Sequence, residues 1–184
     1  IPQPVIVLDG RGAQQNGFVL YAGAAGSTIM GFAIYGFING IVIENSDGNT
    51  IETNYIGTDE TSSVALGNGG AGIFVVDSNN TVIGGTSPGA GNVISANTGM
   101  GIFILETANA DVLGNRVGTD RTGMIDLGNE LAGLAVDGGS NTDIGNGMLS
   151  GLNVISGNDS IGPPSSGIAV QNTNGMKIRK NYIG

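Results

Sequence analysis

Six times along the chain a glycine opens a short apolar run, at Gly17, Gly40, Gly72, Gly101, Gly133 and Gly167. The runs read with a period of two, as in Gly40-Ile41-Val42-Ile43 and Gly101-Ile102-Phe103-Ile104, which is the period of a β-strand. No window keeps the i, i+3, i+4, i+7 spacing of an amphipathic helix over a useful length. One position after each glycine stand Phe18, Ile41, Ile73, Ile102, Leu134 and Ile168; three positions after stand Leu20, Ile43, Val75, Ile104, Val136 and Val170. A third apolar column, Ile51, Ile83, Val112, Ile144 and Ile178, comes eleven residues behind its glycine. These columns are expected to face inward and to stack, strand on strand, about 4.8 Å apart.

The columns belong to a longer repeat. "NYIGTD" at 54–59 returns as "NRVGTD" at 115–120, "LGN" at 66–68 returns at 127–129, and "GNVISAN" at 91–97 is matched by "LNVISGN" at 152–158. All three pairs share one offset of 61 residues, and each 61-residue unit splits into two coils. The shorter spacing, Gly17 to Gly40, gives a base coil of 23 residues. Odd coils carry a nine-residue insertion behind an asparagine, and even coils a six-residue insertion ahead of it. The last unit adds five more residues at "NDSIGPPSS", 158–166. A unit of this size, with two or three short strands and no helix, predicts one all-β domain over residues 1–184: a β-solenoid of seven to eight coils. The asparagines in question are Asn54, Asn92, Asn115, Asn153 and Asn181, and two residues behind them lies a fourth column of Ile56, Ile94, Val117, Ile155 and Ile183. Asparagine tolerates the left-handed backbone of a corner, and stacked amides can bond from coil to coil. An internal asparagine ladder is therefore expected. The glycines fit a corner that needs positive φ or close packing.

Composition agrees with this placement. The 184 residues include 35 Gly and 20 Asn, yet 40% are apolar, so the chain can bury a core. It has no His, Cys or Trp. That excludes His- and Cys-based catalytic triads, His metal sites, zinc knuckles, iron–sulfur clusters and disulfides. Six basic against fifteen acidic residues leave a net charge of −9, which disfavours nucleic acid, anionic lipid and polyuronate as partners. The one basic cluster is Lys177, Arg179 and Lys180. No apolar run reaches membrane-spanning length. The chain starts at Ile1 and stops at "NYIG", which reads as a piece of a longer array.

The motifs "GNYIGTD…LGN…GI", "NTVIGG" and "GNVISGN", with "PVIVLDGRG" at 4–12, resemble the right-handed parallel β-helix repeats of large secreted or surface bacterial proteins. The resemblance covers nearly the whole chain. It implies a pectate-lyase-like fold and a secreted or cell-surface location. Members include pectate lyases, polygalacturonases, alginate epimerases, phage tailspikes and non-catalytic adhesin stalks. The family's catalytic motifs do not carry over. There is no Asp-Pro-His-Glu, no Gly-His-Gly and no adjacent Asp pair, and "KIRK" at 177–180 is only superficially like Arg-Ile-Lys.

Three constellations could still carry chemistry. Glu44, Asp77, Glu106 and Asp137 come just after the first strand in four successive coils. Stacked, they are expected roughly 5–8 Å apart, within the range of glycosidase carboxylate pairs; as alternatives they bind a cation or are simply solvated. Asp59, Thr61 and Asn68 recur as Asp120, Thr122 and Asn129 in the nine-residue insertion. They could supply oxygens to Ca²⁺, or the Asp could merely stiffen a turn. Lastly, the outward column Val19, Val42, Phe74, Phe103, Ala135 and Ala169 is apolar and needs a cover. The insertions could provide it through Val64, Leu66, Met124, Ile125 and Leu127; otherwise a partner protein, a second copy or a glycan would, on a face centred on Val42, Phe74 and Phe103. The expectation is a non-catalytic structural or surface-interaction module, with a polysaccharide-active hydrolase, lyase or epimerase as the alternative and no cofactor other than possible calcium.

Overall fold

A computed structural model describes residues 1–158 and 166–184. Each full coil contributes one strand to each of three parallel sheets, and Ile6–Asp9 adds a further rung to the third alone. The first sheet holds the glycine-led strands Phe18–Leu20, Ile41–Glu44, Ile73–Val76, Ile102–Leu105, Leu134–Asp137 and Ile168–Gln171. The second holds Thr28–Met30, Thr50–Glu52, Val82–Gly84, Asp111–Leu113, Asp143–Ile144 and Lys177–Ile178. The third has seven rungs, from Ile6–Asp9 through Phe32–Tyr35, Tyr55–Ile56, Val93–Ile94, Arg116–Val117 and Val154–Ile155 to Tyr182–Ile183. One short 3₁₀ turn, Leu149–Gly151, is the only helical element among the described residues. The extra residues of the last unit fall mostly at 159–165, outside the described residues.

Register agrees with the sequence columns. Ile41, Ile73, Ile102, Leu134 and Ile168 pair in order, as do Ile51, Ile83, Val112, Ile144 and Ile178. In the central coils the inward columns are fully buried and join one core that runs along the axis. Each such Ile, taken wholly from water, contributes about 1.5–3 kcal/mol. Repetition of that burial, coil after coil, stabilises strands only two to four residues long.

The strand-leading glycines are explained by packing. Their φ values are not positive; a Cβ on Gly72 would lie 2.7 Å from Ile94 Cγ2, 2.8 Å from Asn97 Nδ2 and 2.8 Å from the Gly101 carbonyl. Gly40, Gly101 and Gly133 meet the same three kinds of neighbour one coil along. The left-handed turns fall at the far end of the strand instead, at Asn45, Asp77, Glu106, Gly138 and Asn172.

Candidate functional site

Asn54, Asn92, Asn115, Asn153 and Asn181 form a ladder at the corner ahead of the third sheet. The Asn54 backbone N–H and Nδ2 both donate to Asn92 Oδ1, at 3.0 and 3.2 Å. Asn92 does the same to Asn115, Asn115 to Asn153, and Asn153 to Asn181. Each Nδ2 also donates to a carbonyl of the preceding coil, as Asn92 does to Ile51 at 2.8 Å. Gly31 holds this corner in the first full coil and has no amide; there the Phe32 N–H donates to Asn54 Oδ1.

A second ladder flanks the other side of the third sheet. Asn68, Asn97, Asn129 and Asn158 are joined by Nδ2 to Oδ1 bonds of 2.8, 2.9 and 2.8 Å, and the Asn68 and Asn97 backbone N–H groups donate to the same oxygens. Their Nδ2 groups also reach Ile34, Ile56, Ile94 and Val117 carbonyls. This ladder is hidden in the sequence because the nine-residue insertion separates Asn68 and Asn129 from the third strand, whereas Asn97 and Asn158 come directly after it. The available signal was that both pairs keep the 61-residue offset. A shorter row of hydroxyls, Ser46, Ser78 and Thr107, does similar work after the first sheet.

The ladder settles where the insertion residues stand. Asn68 and Asn129 spend their amides inside the corner, fully or almost fully buried. Asp59 and Thr61 lie in a separate turn. Asp59 Oδ1 accepts the Ser63 and Val64 N–H groups at 3.0 Å, and Thr61 Oγ1 donates to Oδ2 at 2.6 Å. Asp120 and Thr122 build the same turn with Met124 and Ile125. Burial pushes both carboxyls up, but these hydrogen bonds outweigh it and hold them below the usual aspartate value. No cluster of three or more acidic metal-ligating side chains occurs among the described residues.

The four acids beyond the first strand are split between two positions rather than stacked in one row. Glu44 is in register with Val76, and Asp137 with Leu105. Asp77 and Glu106 come one residue later, in the left-handed corner, and are exposed. Asp137 is engaged by its neighbours: Gln171 Nε2 donates to it at 2.7 Å and Asn172 Nδ2 at 2.8 Å. A different acid has the unusual setting. Burial, and then the Asp143 carboxylate in the next coil, push Asp111 up, against the opposing charges of Lys177 and Arg179. Asp143 itself pairs with Arg179 at 2.8 Å and Lys177 at 3.5 Å.

The outward column of the first sheet is continuous. Phe74 and Phe103 stack with ring centroids 5.2 Å apart and planes 16° from parallel. Beyond Phe103 the column shrinks to Ala135 and Ala169, leaving a groove of about 210 Å³ whose walls include Phe103, Asp137 and Gln171. The insertions do not roof this face. Gly123 of the second insertion lies against Arg116 and Val154, which are third-sheet residues, while Val64, Met124 and Ile125 remain exposed. Each loop folds back on the sheet it leaves, because its antiparallel bridges, Thr58 with Ala65 and Thr119 with Asp126, close it directly beyond that strand.

No family profile and no curated protein matches the sequence. Solved structures of the periplasmic alginate epimerase AlgG do match. The unsubstituted enzyme aligns with a TM-score of 0.65 at 16% identity, over 91% of this chain. A substituted form of the same enzyme gives 0.65 at 17%. The chain spans 36% of the length of those structures. At such identity the likeness is one of fold, and with three parallel sheets it decides the architecture. The chain is a right-handed parallel β-helix. Among the described residues, no helix of this β-helix is long and apolar enough to cross a membrane.

Proposed function

We propose that this β-helix is a non-catalytic structural and surface-interaction module of an extracellular bacterial protein, and that it contacts glycans along the outer face of its first sheet. The observation that carries the reading is the groove beside Phe103. It combines an apolar wall and a small-residue floor with the polar atoms of Asp137 and Gln171. Such a mixture suits a sugar ring, which offers C–H faces and hydroxyl edges together. Among the described residues Asp137 is the one charged group lining the groove, so a neutral glycan fits it better than a polyuronate. Two buried asparagine ladders support the structural half of the reading, since they tie each coil to the next without side-chain freedom. No cofactor is required by it; calcium at the Asp59 and Asp120 turns would appear as a calcium-dependent rise in Tm.

A glycan array together with a reducing-sugar assay tests the proposal. Binding of a neutral glycan that is lost in Phe103→Ala, with no release of sugar ends, is the expected result. The second reading is a polysaccharide-active enzyme built on Glu44, Asp77, Glu106 and Asp137, and it draws on the fold shared with an alginate epimerase. Release of sugar ends that disappears in Glu106→Gln would replace the first reading by the second.

A further inference from the structure

The third-sheet outward column runs Ala33, Tyr55, Val93, Arg116, Val154 and Tyr182. Arg116 is its one charged member, standing where the other odd coils place tyrosine ("NYIG" against "NRVG"). A guanidinium inserted into an apolar column loses hydration and needs an anion in return. Among the described residues no carboxylate forms an ion pair with it; the ion pairs there involve Arg11, Lys177 and Arg179, not Arg116 or Arg121. The Arg116 Nε is buried without a hydrogen-bond partner. Asp120 is the acid that acts on Arg116, yet its carboxylate oxygens are engaged by its own turn.

The space beside Arg116 is shaped by the alternation of coils. The six-residue insertions of two even coils, at Gly85–Gly91 and around Leu149–Leu152, stand as two walls. The intervening odd coil lacks an insertion at this position, ahead of its asparagine, and forms the floor with Gly114 and Arg116. The result is a slot of about 320 Å³, with hydroxyls from Thr86, Ser87 and Ser150 on its walls. The floor is fixed tightly: the Gly114 N–H donates to the Gly151 carbonyl at 3.3 Å, and a side chain on Gly91 would collide with the Gly114 carbonyl. Ile1 closes one side; Arg121 does not line the slot, but its charge acts on the Ile1 amino group and on Tyr55 beside it. The Glu52 carboxylate lies 3.9 Å from where a Cβ on Gly85 would stand and opposes an anion at that wall, which leaves the Arg116 side of the slot as the place for one.

We infer that this slot is an oxyanion site in which the Arg116 fork, assisted by Arg121 and the wall hydroxyls, holds a carboxylate or phosphate group. Planar guanidinium groups match both anions through paired N–H donors. The site is independent of the groove on the first sheet, so either can fail alone.

The test is a titration at constant ionic strength with inorganic phosphate and, separately, with glucuronate, read by NMR at the arginine Nε–Hε signals. A saturable shift of the Arg116 signal is expected, and the stronger of the two responses identifies phosphate or carboxylate as the group bound. Arg116→Gln should remove the saturation and Arg116→Lys should weaken it about tenfold, because lysine keeps charge but not the fork. Arg121→Gln should weaken it less, and Arg179→Gln, on the second sheet, should leave it unchanged. A linear response shared by Arg179 and by chloride controls would overturn the proposal. Saturation that persists undiminished in Arg116→Lys and Arg121→Gln would do so too, even if Arg116→Gln did not fold.

Discussion

Two outer faces of the same solenoid carry apolar columns of the same period and meet different fates. On the third sheet, Ala33, Tyr55 and Val93 are wholly buried outside the core, under Ile1 and the insertion loops. On the first sheet, Phe74 and Phe103 are only partly buried, chiefly by each other and by their column neighbours. The difference lies in how the chain leaves each strand. In two odd coils the third sheet is left by a loop closed by an antiparallel bridge, which returns over it; the first sheet is left by a left-handed corner of one or two residues that turns the chain away. An outward apolar column therefore stays open only where the chain itself does not come back.

The comparison breaks most severely if the corner beside the roofed face is opened. Asn97→Ala removes an acceptor used by the Asn68 N–H and Nδ2 and strands both without water. At about 1–3 kcal/mol for each buried group left unpaired, a loss of roughly 2–6 kcal/mol is expected in denaturant unfolding. Next comes the contrast between the faces. Tyr55→Ala should cost about 3–5 kcal/mol, as for a core aromatic, whereas Phe74→Ala on the open face should cost less than about 1.5 kcal/mol. Equal losses would mean that the first-sheet face is covered in solution.

Removing residues 58–66 is a finer probe. It leaves Gly57 and Gly67 between Ile56 and Asn68, the same spacing that even coils use between Ile94 and Asn97. The second ladder should survive, while dye binding to apolar surface should rise through exposure of the Tyr55 face. The rise should be the same in a Phe74→Ser background; if it vanished there, the loop would have been covering the first sheet after all.

The smallest effect concerns acid. Asp59 and Asp120 have folded values below the unfolded aspartate value of about 3.9. Their contribution is therefore present above about pH 4 and lost as the pH falls through the folded values. Hydrogen exchange at Val64 and Ile125 should accelerate below pH 4, before the ladder amides do. Acceleration at neutral pH would show that the carboxylates do not hold the turns.

Much of this architecture is legible along the chain. The columns at fixed distances from each glycine give the strands, their inward faces and the register, because a two-residue period and a repeated offset leave few ways to stack. The first ladder is legible for the same reason. The second is not, since nine inserted residues hide the shared corner of Asn68 and Asn97. The acids mislead in a related way: the distance from glycine places Glu44 and Asp77 one residue apart, but only the turn geometry shows that this residue separates a strand end from a corner. The Arg116 slot depends on loops from coils on either side, which no local pattern brings together.

The sequence by itself thus determined the repeat, the solenoid and its core, since these arise from periodic burial and the backbone needs of glycine and asparagine. Which outer face is roofed, which glycine needs closeness rather than freedom, and which arginine stands without an ion pair among the described residues were decided by tertiary structure. Those properties arise between coils, where residues distant in the chain share a few ångströms of space.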